Sequence, residues 1–477
     1  MELLTGIAEG ASSMLARFCS ARVRWCLAGG SLLGLVLIGV LGYRAWSTRQ
    51  EDYWLQKGRT ALGSHRWHQA DDCARALEQH GWTNATHLLR GLVLVTRARA
   101  TPELNNAETQ PGSLSASSGR GLALVDAAAE PAPVSAPGKR LRPRVREQYE
   151  QAIEELTQVA DAGPEAREAA LLVAECLARL DQKKMAAELL ETVVRQEPDR
   201  LAAHKWLAAI YIDLSCPQQA ATHLSDWARL DPANGRPCRW LGFFYKDNSR
   251  PEQAVQAYRE ALQRGLGPAM QADVVREWAR VLITANADYQ AALDVLARCP
   301  PALESDSEFA VERAECLLGL GQTAEAKDIL DRVLADKAVH PSARALRAQI
   351  YMTEDDPRAA LPLLRQAIHE DAYNVKTRGL LALACQQTGD TVGADEQQRR
   401  VAELKATQAR MAKLVAKANA QPWDDECRCE LAEFCLRRNR TDEARMWLRA
   451  ALSSNPGSER ARTILKRLPL VADRRNP

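Results

Sequence analysis

A step of 34 residues constrains this chain more than any other feature of its sequence. Ala152, Ala186, Ala220 and Ala254 are 34 apart, and Ala292, Ala326, Ala360 and Ala394 repeat the same step. The two runs are separated by 38 residues, and the four extra ones are read into "RGLGPAMQ". Ala70 and Ala444 extend the ladder at either end. Twelve positions before a ladder alanine a small residue usually stands, among them Gly58, Ala174, Ala208, Gly242, Ala314 and Ala348. Four positions after it comes a bulky one, such as Leu156, Leu190, Leu224, Tyr258, Leu296 or Leu330.

Two helices joined by a tight turn explain this spacing. Small residues such as Gly242 on the first helix and Ala254 on the second let the backbones approach closely. Tyr245 and Tyr258 then fill the space between one pair and the next. One pair cannot bury its own apolar face, so pairs must stack into an array. At 477 residues the chain is too long for one ordinary core.

The stretch from "WLGFFY" at Trp240 to "AVQAYREAL" at Ala254 resembles the tetratricopeptide repeat, whose pattern runs W-x-x-L-G-x-x-Y, then A, F or Y, A and P. Trp240 lies two positions later than that family's tryptophan, and Pro164, Pro198, Pro232 and Pro456 close several units. The resemblance extends from Asp52 to Arg467 and implies an all-α, right-handed solenoid of antiparallel helix pairs. Helix-like units are expected over 51–100, an array over 143–402, an extended helix over 403–422, and a last repeat with a capping helix over 423–468. Arg280 occupies a small-residue position and Gln398 an apolar one, so packing around them is expected to be less regular.

The front of the chain reads differently. "WCLAGGSLLGLVLIGVLGY", between Arg24 and Arg44, carries no charge. Its length approaches the roughly 30 Å of a hydrocarbon core. Trp25, Tyr43 and Trp46 stand where interfacial rings belong. A single transmembrane helix over 25–46 is expected, after a tail over 1–24. The basic residues flanking it nearly balance. A short tail before a long domain favours an exoplasmic or periplasmic domain, whereas twelve cysteines favour a reducing side.

Residues 101–142 are rich in Ala, Pro and Ser and read as a disordered insertion between the two helices of one repeat. It ends in the basic run "KRLRPRVR". The whole chain balances 63 basic against 61 acidic residues, with no nucleic-acid signature. Cys176, Cys316 and Cys385 sit in apolar helical patterns, where a thiol acts as a small hydrophobe.

No phosphate loop, metalloprotease motif or nucleophile elbow is present, and neither the cysteines around Cys427 nor the pair His65 and His68 has metal-site spacing. No enzyme activity, metal or other cofactor is therefore expected. The resemblance implies a scaffold for protein or peptide partners, with assembly or secretion in an envelope machinery as a narrower alternative. In that family, first helices line a concave groove. The inward positions here are Lys205, Arg236, Arg239, Phe243 and Lys246, flanked by Glu168, Glu175, Glu277, Glu308 and Glu315. An acidic or C-terminal peptide segment is the expected ligand. The family's clamp for a peptide carboxylate is absent, because Ala209 and Trp240 replace its two asparagines.

Overall fold

The computed structural model describes residues 40–41, 43–101, 142–160, 163–299, 306–336, 339–438 and 440–468. Among these, the regular structure is helical throughout, without a strand. The chain divides into two units, one of residues up to 101 with 142–176, the other beginning at Leu177. Most of the apolar span expected at 25–46, and nearly all of the expected insertion, lie outside the described residues. No described helix is long and apolar enough to cross a membrane.

In the first unit, α1 (43–63), α2 (Trp67–Gln79), α3 (Thr83–Ala100) and α4 (Pro143–Thr157) follow one another, and α5 (Pro164–Arg179) runs to the division. Counting twelve back from Ala152 lands at Arg140, inside the insertion. The residue that plays the small part is Gly91 of α3. A Cβ there would strike Leu156 of α4, which is 2% exposed. The two helices thus form one pair despite the residues between them.

In the second unit, α6 (Lys183–Gln196) precedes a run of pairs. These are α7 (Leu201–Asp213) with α8 (Pro217–Leu230), α9 (Arg236–Asp247) with α10 (Pro251–Gln263), and α11 (Pro268–Val281) with α12 (Tyr289–Leu296). They continue as α13 (Ser307–Gly319) with α14 (Thr323–Asp336) and α15 (Pro341–Thr353) with α16 (Pro357–Glu370). The last are α17 (Val375–Gln387) with α18 (Thr391–Ala420) and α19 (Asp425–Leu436) with α20 (Thr441–Ser454), covered by α21 (Glu459–Arg467). Ladder alanines are buried throughout: Ala186, Ala220, Ala254, Ala292, Ala326, Ala360 and Ala444 have no exposed surface. Described turns from a first to a second helix carry one left-handed residue each at Asp181, Ser215, Ser249, Gly321, Asp355 and Gly389. These too are 34 apart on either side of the long unit, where Ala287 takes the role.

Two expectations need correction. The four extra residues do not loop out at "RGLGPAMQ"; they lengthen a first helix. α11 continues as a π-helix over Leu282–Asn286, whose wider turn absorbs an added residue. That change of register leaves Arg280 exposed and puts Ala279, fully buried, at the close contact. Likewise 403–422 is no separate element, because nothing between Thr391 and Ala420 breaks the helix. Gln398 is exposed on it, and only Ala394 and Ala418 are buried.

The second unit also closes on itself. Arg428 of α19, with no exposed surface, donates from Nη2 to Leu214 O at 2.8 Å and from Nη1 to Asp424 O at 2.8 Å. Its Nη2 also lies 3.1 Å from Cys216 Sγ. Lys183 of α6 donates to Asp213 at 3.0 Å and to Ser453 Oγ of α20 at 2.8 Å. Gln219 donates to Asn419 O, and Trp423 lies 6.5 Å from the Tyr211 ring. Helices more than two hundred residues apart are thereby joined.

Of the ten described cysteines, all but Cys299 are buried. Burial pushes the Cys316 thiol up to about 12 and those of Cys238, Cys429 and Cys435 up to about 11. Thiolate is therefore scarce at neutral pH. With a maleimide at pH 7.5, peptide mass spectrometry is expected to find Cys299 labelled first among these ten. The nine buried ones should follow only in denaturant; rapid native labelling of Cys316 would contradict the packing.

Candidate peptide-binding surface

First helices of successive pairs lie side by side, α9 against α11, α11 against α13, and onward to α17. Residues two turns apart on one such helix therefore meet the same face of the next. The five residues singled out from sequence fall on α7 and α9, but the structure does not leave them as a bare cationic cluster.

Arg239 Nη2 lies 2.8 Å from Asp273 of α11, and Lys246 Nζ 2.5 Å from Glu277 one turn further along. Lys205 Nζ lies 3.3 Å from Asp231, over the Trp227 ring. For Asp231, burial alone would raise the carboxyl's pKa. Bonds from Lys205, Asn234 and Trp227 outweigh it and hold the group below the usual carboxylate range. Arg236 is half-buried and lines, with Asp231, Asn234 and Met270, a cavity of about 360 Å³ between the α8–α9 and α10–α11 turns.

Phe243 corrects the sequence reading. It is 7% exposed and packs edge-on against Tyr258 at 5.8 Å, inside the core. Arg239 and Lys246 cover its outer face at 4.9 and 5.7 Å. Phe244 is half-exposed beside Trp240. Phe243 shares one face of α9 with Arg239 and Lys246, whose longer side chains close over the ring and leave it packed down on Tyr258.

Flanking carboxylates are engaged as well. Glu308 lies 3.4 Å from Arg276, Glu312 3.0 Å from Arg280, and Glu315 2.9 Å from Lys376. In the first unit Glu168 pairs with Arg59 and Glu175 with Arg99. Sequence reasoning missed Asp273, Arg276 and Glu312, although their separation from partners by 32 to 34 residues was a usable signal. The surface is a ladder of ion pairs between repeats. In the Arg239–Asp273 pair the carboxylate is the more accessible half, 54% exposed in its side chain against 17%, whereas in Arg280–Glu312 the cation is, at 47% against 9%.

Among the described residues no group of three or more His, Cys, Asp or Glu side chains is already gathered to hold a metal ion.

Residues 146–210 and 284–350 match the tetratricopeptide repeat family. These segments are tetratricopeptide repeats. Lys205 lies in the first, and α9 lies between the two, on tetratricopeptide spacing but outside the match. Similar solved structures include YrrB, described as a tetratricopeptide repeat protein with an unusual peptide-binding site, at 19% identity over 40% of this chain and 96% of that one, TM-score 0.33. PilF of Pseudomonas aeruginosa is 19% identical over 45% of this chain and 96% of its own, TM-score 0.34. The Cut9–Hcn1 hetero-tetramer of the APC/C is 11% identical over 87% of this chain and 89% of that one, TM-score 0.35. Identity and superposition are both too low to carry residues across. No curated protein matches the chain.

Proposed function

We propose that this tetratricopeptide repeat protein is a non-catalytic scaffold that captures acidic protein segments along the first helices of its second unit. The observation that carries this reading is the ladder Arg239–Asp273, Lys246–Glu277 and Arg280–Glu312, in which a cation of one repeat is neutralised by an anion of the next. Partly exposed ion pairs contribute little net stability, typically about 0–1 kcal/mol. An incoming carboxylate therefore replaces Asp273 at small cost. Cations already held in place by their rings and partners lose little freedom on binding. Residues 25–46 are proposed to tether this surface to a membrane, with the domain on the exoplasmic or periplasmic side.

Reversing Lys205 and Arg239 to Glu tests the reading. Capture of an acidic peptide is expected to fall by at least tenfold and to weaken in the parent protein as salt rises. Helicity by circular dichroism should be unchanged, since neither side chain belongs to the alanine ladder. Unchanged capture by the double variant would remove this surface from consideration.

A further inference from the structure

The first unit presents one end to the chain that enters it. At that end Ser47 of α1 is half-buried, and its Oγ receives the Trp82 Nε1–H at 3.1 Å. Trp82 stands in the turn between α2 and α3. The turn after α4 lies at the same end, because Ala160 N donates to Asn84 Oδ1 at 3.2 Å.

Before Ser47 the helix stands clear of the repeat. Val40, Leu41, Tyr43 and Trp46 are 50, 57, 67 and 53% exposed, and the rings of the last two lie 6.0 Å apart. At about 100° per residue these four side chains point all round the axis, so one packed neighbour could not cover them. A helix that is apolar all round belongs in a core or a membrane. They close the uncharged stretch that begins at Trp25. Only Arg44 breaks the group, and its long stem lets the charge reach phosphate level. Between Tyr43 and Lys57 there is neither Gly nor Pro, and the helix runs on without a kink site. These rings and the repeat therefore move as one piece.

Ser47 lies only about 1.5 Å further along the axis than Trp46. The Trp82 ring that meets it is thus at nearly the level of Trp46. His80, which is exposed, stacks on Trp82 at 4.6 Å. Rings with an apolar body and a polar edge settle where lipid meets water.

We infer that the first unit is seated directly on a bilayer, with Tyr43, Trp46, His80 and Trp82 in contact with zwitterionic phospholipid headgroups. This rests on the proposed tether through residues 25–46 and adds how the unit is held against the membrane. The turns after α2 and α4 face the lipid, and the α1–α2 turn points away. Charges at the seated end nearly cancel, Arg44 and Arg49 standing against Glu51, Asp52 and Glu165. Burial first, then the carboxylates of Glu165 and Asp52, push the pKa of Glu51 up. Nothing in that balance attracts an anionic surface, so the rings make the contact.

p-Benzoylphenylalanine is placed in turn at Trp46, His80 and His68 of the full chain, reconstituted in phosphatidylcholine nanodiscs. Lipid adducts are read by mass after irradiation. All three positions are exposed, so the fold tolerates the change. Adducts are expected at Trp46 and His80 and none at His68, beside the α1–α2 turn. Raising the salt should leave the His80 yield unchanged, since screening weakens charges and not rings. An adduct at Trp46 without one at His80 would leave the tether standing and overturn the seat. No adduct at any position would remove the tether and the seat with it. Equal yields at His80 and His68, or a His80 yield lost at high salt, would also overturn a seat made by these rings.

Discussion

Replacing Arg428 by alanine is expected to lower the stability of the second unit by about 3–4 kcal/mol. The guanidinium is wholly buried, and its partners are carbonyl oxygens of Leu214 and Asp424 and the Cys216 sulfur. Hydrogen bonds to charged groups contribute about 1.5–3 kcal/mol, and stranding buried acceptors adds their desolvation cost. Hydrogen exchange is the informative measurement, because arrays need not unfold in one step. Amide protection should fall by roughly two to three orders of magnitude in α19–α20 and in α6–α8 together. Arg428→Met restores much of the volume but no donor, so it should recover only a minor part. Loss confined to α19 would show that the seam does not couple the two ends.

Gly242→Leu is expected to cost about 1–3 kcal/mol by overpacking, and more than Ser249→Leu at a solvent-facing turn would by bulk alone. A Cβ at Gly242 would strike the ring of Tyr258, which has no exposed surface and cannot swing aside. Leaving glycine raises helix propensity by up to about 1 kcal/mol, which works in the opposite direction. A denaturant midpoint unchanged by Gly242→Leu would therefore mean that the α9–α10 contact is loose, and with it the account of the alanine ladder.

Most of the repeat architecture was legible because close helix packing forces small residues to recur at fixed steps. Ala254, Gly242 and Tyr258 behave as their spacing implied. Where the count went astray, the cause was local. Counting back from Ala152 missed Gly91, because intervening chain breaks the count without breaking the pair. Counting through Arg280 missed the π-helix, because one widened turn shifts every later side chain by a position. Phe243 was placed outward for a different reason: it shares a face with Arg239 and Lys246, and register alone does not tell that their side chains fold over the ring.

The candidate surface was half legible. The cations on α7 and α9 could be named from register, and so could Glu277. Whether they converge on a ligand or pair with the next repeat depends on side-chain reach across α9 and α11, which one helix's pattern does not contain. By itself, the sequence determined that this chain is a helical array and which residues each pair buries, since those follow from contacts within about 34 residues. Only the tertiary structure decided that Arg428 meets Leu214, that Lys183 meets Ser453, and that His204 faces His223. The first two contacts depend on small rotations accumulated over many stacked pairs, and the third on the facing of two side chains across a helix pair, neither of which a periodic pattern records.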